Sequence, residues 1–342
     1  MNLTNLSGRK APMQEFGIDL GTANTVVCDA AEGVVLDEPS VMLVKGAVAR
    51  RGVVAVGREA CELIGRSPAG VQAIRPLHDG VITDLDSARL YLRSVLHRIA
   101  PRPWGRGRLR AAIGVPVGAT TLERRALLEA ADEAGIHRAW VLDEPIAGAV
   151  GCGIDPLERR AHLVVDVGGG TSEVTAFCFG GILAHRSCRV AGDEMTLAVS
   201  HYLREHHQLL VGELTAEQVK IQASTADEPS VVAQGRDAAT GRPRLASVGL
   251  EELTHVVHPV IEGIIQTLSA CLDDLPPQAT GDILSDGVIL FGGGSLARGF
   301  GDSLERAFGF PVKLADRPMT CVAEGAATSM RNPQLLAAYA RT

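Results

Sequence analysis

Short apolar runs alternate along this chain with stretches whose apolar positions recur at helical spacing, the pattern of an α/β protein. Buried strands are expected at 15–20, 25–30, 41–45, 111–116, 162–167, 173–179 and 287–291. Leu85, Ala88, Leu92, Val95, Leu96 and Ile99 fall on one face of a helix that Asp84 would cap. Thr120 and Glu123 form a capping box, and Gly135 stands where a C-terminal cap belongs. Thr215 and Gln218 form a second such box, which predicts a helix starting just after Thr215.

Two segments break the pattern. Residues 101–108 read Pro-Arg-Pro-Trp-Gly-Arg-Gly-Arg, a loop. Residues 224–249 are rich in Gly, Pro and Ala with little helical period, which predicts a small subdomain of short strands and turns. More telling is a weak internal repeat: Asp19-Leu-Gly-Thr-Ala-Asn-Thr25 is echoed by Asp166-Val-Gly-Gly-Gly-Thr-Ser172. Each copy follows one apolar strand and precedes another. Two such units in separate halves predict a duplicated fold with a shared cleft, and 342 residues suit two lobes better than one core.

Composition narrows the classes. Aromatic residues make up only 4% of the chain, so packing leans on Val, Leu, Ile and Ala. The net charge of −7, with lysine only at positions 10, 45, 220 and 313, argues against a nucleic-acid partner. Seven scattered cysteines without CxxC spacing read as buried thiols rather than disulfides or a metal site. Residues 1–15 lack the apolar core of a signal peptide and no apolar run is long enough to span a bilayer, so a cytoplasmic protein is expected.

The chemistry is equally bounded. The chain has no Walker A sequence, HExxH, GxSxG or GxGxxG. Three Gly-rich turns remain, at 19–25, 166–172 and 292–295. Small residues let backbone N–H groups approach phosphate oxygens, and the hydroxyls of Thr22, Thr25, Thr171 and Ser172 would add donors. An Asp opening each of the first two turns suits a hydrated Mg²⁺. Any one turn alone reads as a tight hairpin; three together, with the matched aspartates, favour the phosphate reading. Gly292–Ser295 precede a helix expected from about Leu296, whose N-terminus would face an anion.

Other residues admit two readings. Glu144, just before a helix that Pro145 would start, is a first-turn charge or a group that orients an attacking water. Glu217 and Lys220 share a helix face as a solvated ion pair or as a contact to ribose or adenine. Trp104 among Arg102, Arg106, Arg108 and Arg110 fits either a solvated loop or a membrane surface.

These stretches together resemble the MreB family of bacterial actins, within the actin/Hsp70/sugar-kinase superfamily. The likeness runs in unbroken order from about residue 15 to 330. It is carried by IDLGTANT (18–25), LDEPSV (36–41), AIRPLHDGVI (73–82), GVPVGAT (114–120), ERRAL (123–127), DEPIAGAVGCG (143–153), VVDVGGGTSEV (164–174), VAGDEM (190–195), AEQVKI (216–221) and FGGGSLARG (291–299).

The resemblance implies an actin-like ATPase fold: two duplicated lobes with RNase H-like cores around a nucleotide cleft, each bearing a small subdomain. The first would span 1–155, with its subdomain at about 45–80. The second would span 156–320, with its subdomain at about 195–249, and 321–342 would return to the first. ATP hydrolysis coupled to filament assembly is implied, with ATP/ADP and Mg²⁺ as ligands. Position by position, Asp19 and Asp166 match the Mg²⁺-associated aspartates, and Glu144 and Thr171 the pair that positions the hydrolytic water. Gly21, Thr22, Ala23 and Asn24, and Gly168, Gly169 and Gly170, match phosphate turns. Glu217, Lys220, Gly292, Gly293, Gly294 and Ser295 match nucleoside contacts.

Such proteins form antiparallel paired protofilaments at the inner membrane face and organise wall synthesis and cell shape. The implied partners are therefore other copies of the chain, the membrane surface, membrane adaptors and the wall-elongation machinery. Pro103 and Trp104 fall where a membrane-inserting loop would be, and residues 1–14 make a poor amphipathic helix. A small-molecule kinase of the same superfold and a nucleotide-binding scaffold with little hydrolysis are the alternatives. Several positions depart from the family pattern. Asp143 replaces a Glu, Ser224 a Gly, and Phe291 a small hydroxyl residue. Gly148 lies within the helix after Glu144, where it is expected to loosen that element. The 224–249 segment matches weakly.

Overall fold

In the computed structural model, which describes residues 14–46, 52–78, 81–82, 84–99 and 109–340, the repeat becomes two meanders in equivalent settings. β1 (Gln14–Leu20) turns back into β2 (Asn24–Asp29), and β3 (Gly33–Pro39) follows antiparallel. A three-stranded sheet comes next, made of β4 (Met42–Lys45), β5 (Gly52–Val56) and β6 (Val71–Ile74), with the one-turn α1 (Arg58–Cys61) between the last two. The hairpin β7 (Leu77–His78) and β8 (Val81–Ile82) leads to α2 (Leu85–Ile99), β9 (Leu109–Val115), α3 (Thr121–Ala134), β10 (Arg138–Asp143) and α4 (Glu144–Gly151). β9 lies parallel to β1, and β10 parallel to β9.

The second lobe repeats the plan with β11 (His162–Val167), β12 (Ser172–Cys178) and β13 (Gly181–Cys188). A small unit follows: α5 (Gly192–His206), β14 (Leu209–Leu210), α6 (Glu213–Thr225), β15 (Ser230–Asp237) and β16 (Pro243–Gly249), its strands paired as one antiparallel sheet. α7 (Leu250–Asp273) and α8 (Pro277–Asp286) return to β17 (Val288–Phe291), parallel to β11. α9 (Phe300–Phe308) and β18 (Val312–Leu314), parallel to β17, complete the sheet. The orders β3-β2-β1-β9-β10 and β13-β12-β11-β17-β18 correspond strand for strand. α10 (Cys321–Ser329) and α11 (Pro333–Tyr339) end the described chain.

All seven expected strands form, each within two residues of its expected bounds. Helices on both faces explain why central strands such as β9 are apolar almost throughout rather than alternating. α2 packs Tyr91, Leu92, Val95 and Leu96 in one core cluster with Phe16, Ile18 and Ile113 of the first sheet. Asp84 caps it by accepting from Asp86 N at 3.3 Å and the Ser87 hydroxyl at 2.5 Å. The Thr120–Glu123 box closes in both directions, and Gly135 ends α3 in the left-handed conformation at φ 106°.

The second box does not form. α6 begins at Glu213 with Gly212 as its cap, and the N–H groups of Thr215 and Ala216 already bond Gly212 O, so Thr215 lies inside the first turn. α10 packs against α4, β1 and β2 at backbone contact: a Cβ on Gly325 would lie 1.7 Å from Ala147 O. Cys28, Cys271 and Cys321 are buried thiols, but Cys61, Cys152, Cys178 and Cys188 are only half-buried. Among the described residues no helix is long and apolar enough to cross a membrane. The Arg-rich segment 101–108, expected to be a loop and containing Pro103 and Trp104, and the N-terminal stretch 1–13 lie outside the described residues.

Candidate functional site

Between the lobes lies a cleft of about 450 Å³, with both repeat turns and the third Gly-rich turn on its walls. Asp19, Gly21, Thr22, Ala23 and Asn24 come from the β1–β2 turn, and Asp166, Gly168, Gly169 and Thr171 from the β11–β12 turn. Gly292, Gly293 and Gly294 follow β17, while Glu217 and Lys220 project from α6. The two repeat turns meet so closely that a Cβ on Gly169 would sit 2.7 Å from Ala23 Cβ.

Several expected contributors face elsewhere. Gly170 is not on the cleft wall, and the Ser295 hydroxyl turns back to Gly292 O at 2.6 Å. Thr25 and Ser172, equivalent in the repeat, are fully buried behind their turns. The Thr25 hydroxyl pairs with Ser40 at 2.8 Å and accepts from Tyr91 at 3.0 Å, whereas Ser172 donates to Val190 O at 2.7 Å. Strand alternation explains this, because neighbours along a strand point to opposite faces. The helix expected from Leu296 is also absent. Gly293–Leu296 form a single 3₁₀ turn, extended Ala297 (ψ 134°) interrupts it, and α9 starts only at Phe300. Anion binding there would rest on turn N–H groups, not on a helix dipole.

α6 supplies a buttressed wall rather than a solvated ion pair. Lys220 Nζ donates to Gly192 O at 2.9 Å and the Thr196 hydroxyl at 3.0 Å, and pairs with Glu217 at 2.7 Å. Its three N–H donors are thereby engaged. Gly192 and Asp193, at the start of α5, donate to Gly168 O (3.1 Å) and Gly169 O (2.7 Å), which pins the second turn. Gly192, Asp193 and Glu173 all line the cleft and were not singled out from the sequence. Glu173 is the second residue of β12 and stands across the ladder from Asp166, which the sequence repeat alone does not reveal.

The cleft is acidic. Burial, with Asp37 adding to it, pushes the Asp19 carboxyl up to about 7. Burial and then the charges of Asp19, Glu173 and Cys152 raise Asp166 well above the usual carboxylate range. Glu144, the first residue of α4, is raised by burial and then by Asp19, Glu173, Asp166 and Asp143. Among the described residues lining the cleft, Lys220 is the only basic one, and it is already paired. Crowded, uncompensated carboxylates of this kind suit a divalent cation. Among the described residues no three His, Cys, Asp or Glu side chains form a ready-made cage. Asp19 and Asp166 instead stand one on each turn, the arrangement for an ion that keeps several waters, as Mg²⁺ does.

The family model described as MreB/Mbl protein matches residues 13–338. The chain belongs to the MreB/Mbl family. It is 37% identical over 317 residues to the cell shape-determining protein MreB of Escherichia coli K12, covering 91% of each chain. It is 34% identical over 323 residues to the cell shape-determining protein Mbl of Bacillus subtilis, covering 93% of this chain and 96% of that one. Among solved structures, MreB5 of Spiroplasma citri bound to AMPPNP superposes with a TM-score of 0.87 at 30% identity, over 94% of this chain and 97% of that one. A MamK double helical filament superposes at 0.77 with 26% identity, over 93% of this chain and 99% of that one. The fold is that of the actin-like ATPases, and the chain is an MreB-like bacterial actin.

Within this MreB/Mbl chain, two departures from the family pattern turn out to be one feature. Phe291, fully buried at the end of β17, places its ring where a side chain at Gly148 would be. Gly148 therefore does not leave α4 slack; its missing Cβ is replaced by an aromatic ring, and α4 is buried at Pro145, Ile146, Ala147, Gly148 and Ala149. Ser224, the third departure, bonds Lys220 O at 3.1 Å and lines the cleft from α6.

Proposed function

We propose that this chain binds and slowly hydrolyses ATP, and that hydrolysis accompanies assembly into filaments at the inner face of the cell membrane, where it organises wall synthesis and cell shape. The observation that carries this reading is Glu144: a carboxyl of raised proton affinity at the first turn of α4, facing a cleft walled by three Gly-rich turns. A base with high proton affinity is what an attacking water requires. In this reading the Glu144 carboxylate orients the water and takes its proton, and the Thr171 hydroxyl fixes the water's second direction. Turn N–H groups from Gly21–Asn24 and Gly168–Gly169 receive the phosphate oxygens. Asp19 and Asp166 would hold Mg²⁺ through water, and the ion would supply positive charge to the developing phosphate oxygens.

Glu217 and the Gly292–Gly294 turn would border the nucleoside, with Lys220 bracing that wall. Turnover would be slow, because no covalent intermediate is formed and the lobes must close around the nucleotide. Filaments of paired protofilaments, membrane contact through Pro103 and Trp104, and partners among membrane adaptors and wall-elongation proteins complete the proposal. The relatives carry names of cell shape-determining proteins, the Spiroplasma citri protein was captured with AMPPNP and with ADP, and MamK as a double helical filament.

The test is pelleting with electron microscopy, with and without Mg-ATP, on the same sample used to follow phosphate release. Glu144→Ala is expected to bind ATP and release at least about a hundredfold less phosphate. Equal turnover in the variant, or turnover that depends on an added sugar, would refute the assignment.

A further inference from the structure

A chain of partly buried hydrogen bonds runs from the residue before Glu144 to the opposite lobe. Asp143, the N-cap of α4, accepts from Arg124 Nη2 at 2.7 Å. The same guanidinium grips the loop after β9: Nη2 donates to Pro116 O and Val117 O, and Nε to Ala119 O, each at 3.2 Å. From that loop the Val117 N–H crosses to the second lobe and donates to Glu173 Oε2 at 3.2 Å. The other oxygen of Glu173 lies 3.3 Å from His185 Nε2 on β13.

Glu173 is a costly residue to keep at this place. It is 3% exposed and stands directly across the β11–β12 ladder from Asp166, so two carboxylates oppose one another. Like charges facing across strands are destabilising, and a buried carboxylate at a cleft is a mark of function. A cavity of about 20 Å³, lined by Leu20, Pro116, Ala119, Arg124 and Glu144 among others, leaves a small space beside the Glu144 side chain.

We propose that Glu173 and Arg124 are positioning residues that tie the placement of Glu144 to closure of the lobes. When the cleft closes, the Val117 amide reaches Glu173; the loop it belongs to is held by Arg124, and Arg124 sets Asp143 and hence the first turn of α4. When the cleft opens, the crossing bond is lost and Glu144 is free to drift into the adjoining cavity. A displacement of the order of 1 Å at a catalytic group costs about a hundredfold in rate. The inference rests on the hydrolysis reading above.

The experiment compares the full chain with Glu173→Ala, Glu173→Gln and Arg124→Lys. It measures affinity for a fluorescent ATP analogue, single-turnover phosphate release, and amide exchange of the 116–119 loop with and without Mg-nucleotide. Nucleotide is expected to protect the loop in the unaltered chain. Glu173→Ala should abolish that protection and slow phosphate release at least about tenfold, while affinity changes by less than about threefold. Gln keeps an acceptor oxygen for Val117 and should restore most of both. Arg124→Lys cannot bridge Asp143 and the loop carbonyls together, and should slow release while loop protection persists. Unchanged release in Glu173→Ala, a Gln variant no better than Ala, or a loss of affinity as large as the loss of rate would overturn the proposal. Should the unaltered chain release no phosphate, the hydrolysis reading falls by itself. The exchange measurement then decides the coupling alone: protection that survives Glu173→Ala overturns it, and protection that is lost supports it.

Discussion

The pairing of Gly148 with Phe291 makes a prediction opposite in sign to the usual rule for helix glycines. In a helix with space around it, Gly→Ala stabilises by about 1 kcal/mol. Here a Cβ at residue 148 would lie 2.3, 2.5 and 2.9 Å from three ring carbons of Phe291, well inside ordinary contact. The ring is fully buried among Ala147, Ile146 and Leu142, so it has little freedom to swing away. Overpacking of this kind costs roughly 1–3 kcal/mol, and contacts this short belong at the upper end. Subtracting the helix preference leaves Gly148→Ala destabilised by about 1–2 kcal/mol. With an unfolding entropy of roughly 2.1 cal/mol/K per residue, that corresponds to a fall in Tm of about 1–3 °C.

Phe291→Ser should destabilise by about 3 kcal/mol or more, through loss of the ring and the cavity it leaves. In the double variant the new methyl group enters the space the ring vacates. The two changes together should then cost roughly 1–3 kcal/mol less than their sum. Urea unfolding of the four proteins of the cycle, with calorimetry as a second probe, measures this directly. Stabilisation by Gly148→Ala alone, or additivity within about 0.5 kcal/mol, would refute the packing argument.

Three further outcomes are expected. Because the Asp19 carboxyl is raised from 3.8 to about 7, the metal-free chain gains stability from protonating it below pH 4 and loses that gain as pH rises through 7. The gap is on the order of 4 kcal/mol, so the rise in Tm on adding Mg-ATP should be larger at pH 8 than at pH 5; equal rises would exclude the cation from this site. Arg75, after β6, pairs with Glu213 at the start of α6 at 2.5 Å, linking the small sheet of the first lobe to the helix that carries Glu217 and Lys220. Glu213 is exposed and Arg75 half-buried, so Arg75→Ala should change global stability by only about 1 kcal/mol, yet speed ATP release by about threefold, with recovery in the Arg75→Glu, Glu213→Arg swap. Stopped-flow nucleotide release at low and high salt reads it, and a salt-independent effect would count against an ion pair. Trp104→Ala should reduce co-sedimentation with anionic liposomes by several-fold; unchanged sedimentation would remove the loop from the membrane proposal.

Local patterns carried the elements and the repeat. Strand bounds followed from apolar runs, and the capping box at Thr120 closed as read, because caps and strand burial depend on residues only a few positions apart. The matched aspartates of the two turns foretold the cleft, and the two sheets that carry them correspond strand for strand. Sequence failed where a residue's role depends on what lies opposite. The Thr215 box was displaced because α6 starts at Glu213, capped by Gly212 three residues before Thr215. Thr25 and Ser172 looked like phosphate donors, yet the pleat turned both hydroxyls behind their turns. Gly148 and Phe291 looked like two separate flaws, and only their contact across the α4–β17 boundary shows one compensated packing unit. Glu173 carried no motif of its own, and its place against Val117 of the other lobe is a fact of three dimensions. Spacing along a chain reports what neighbours in sequence can do, whereas packing between residues on different lobes is settled only when the lobes come together.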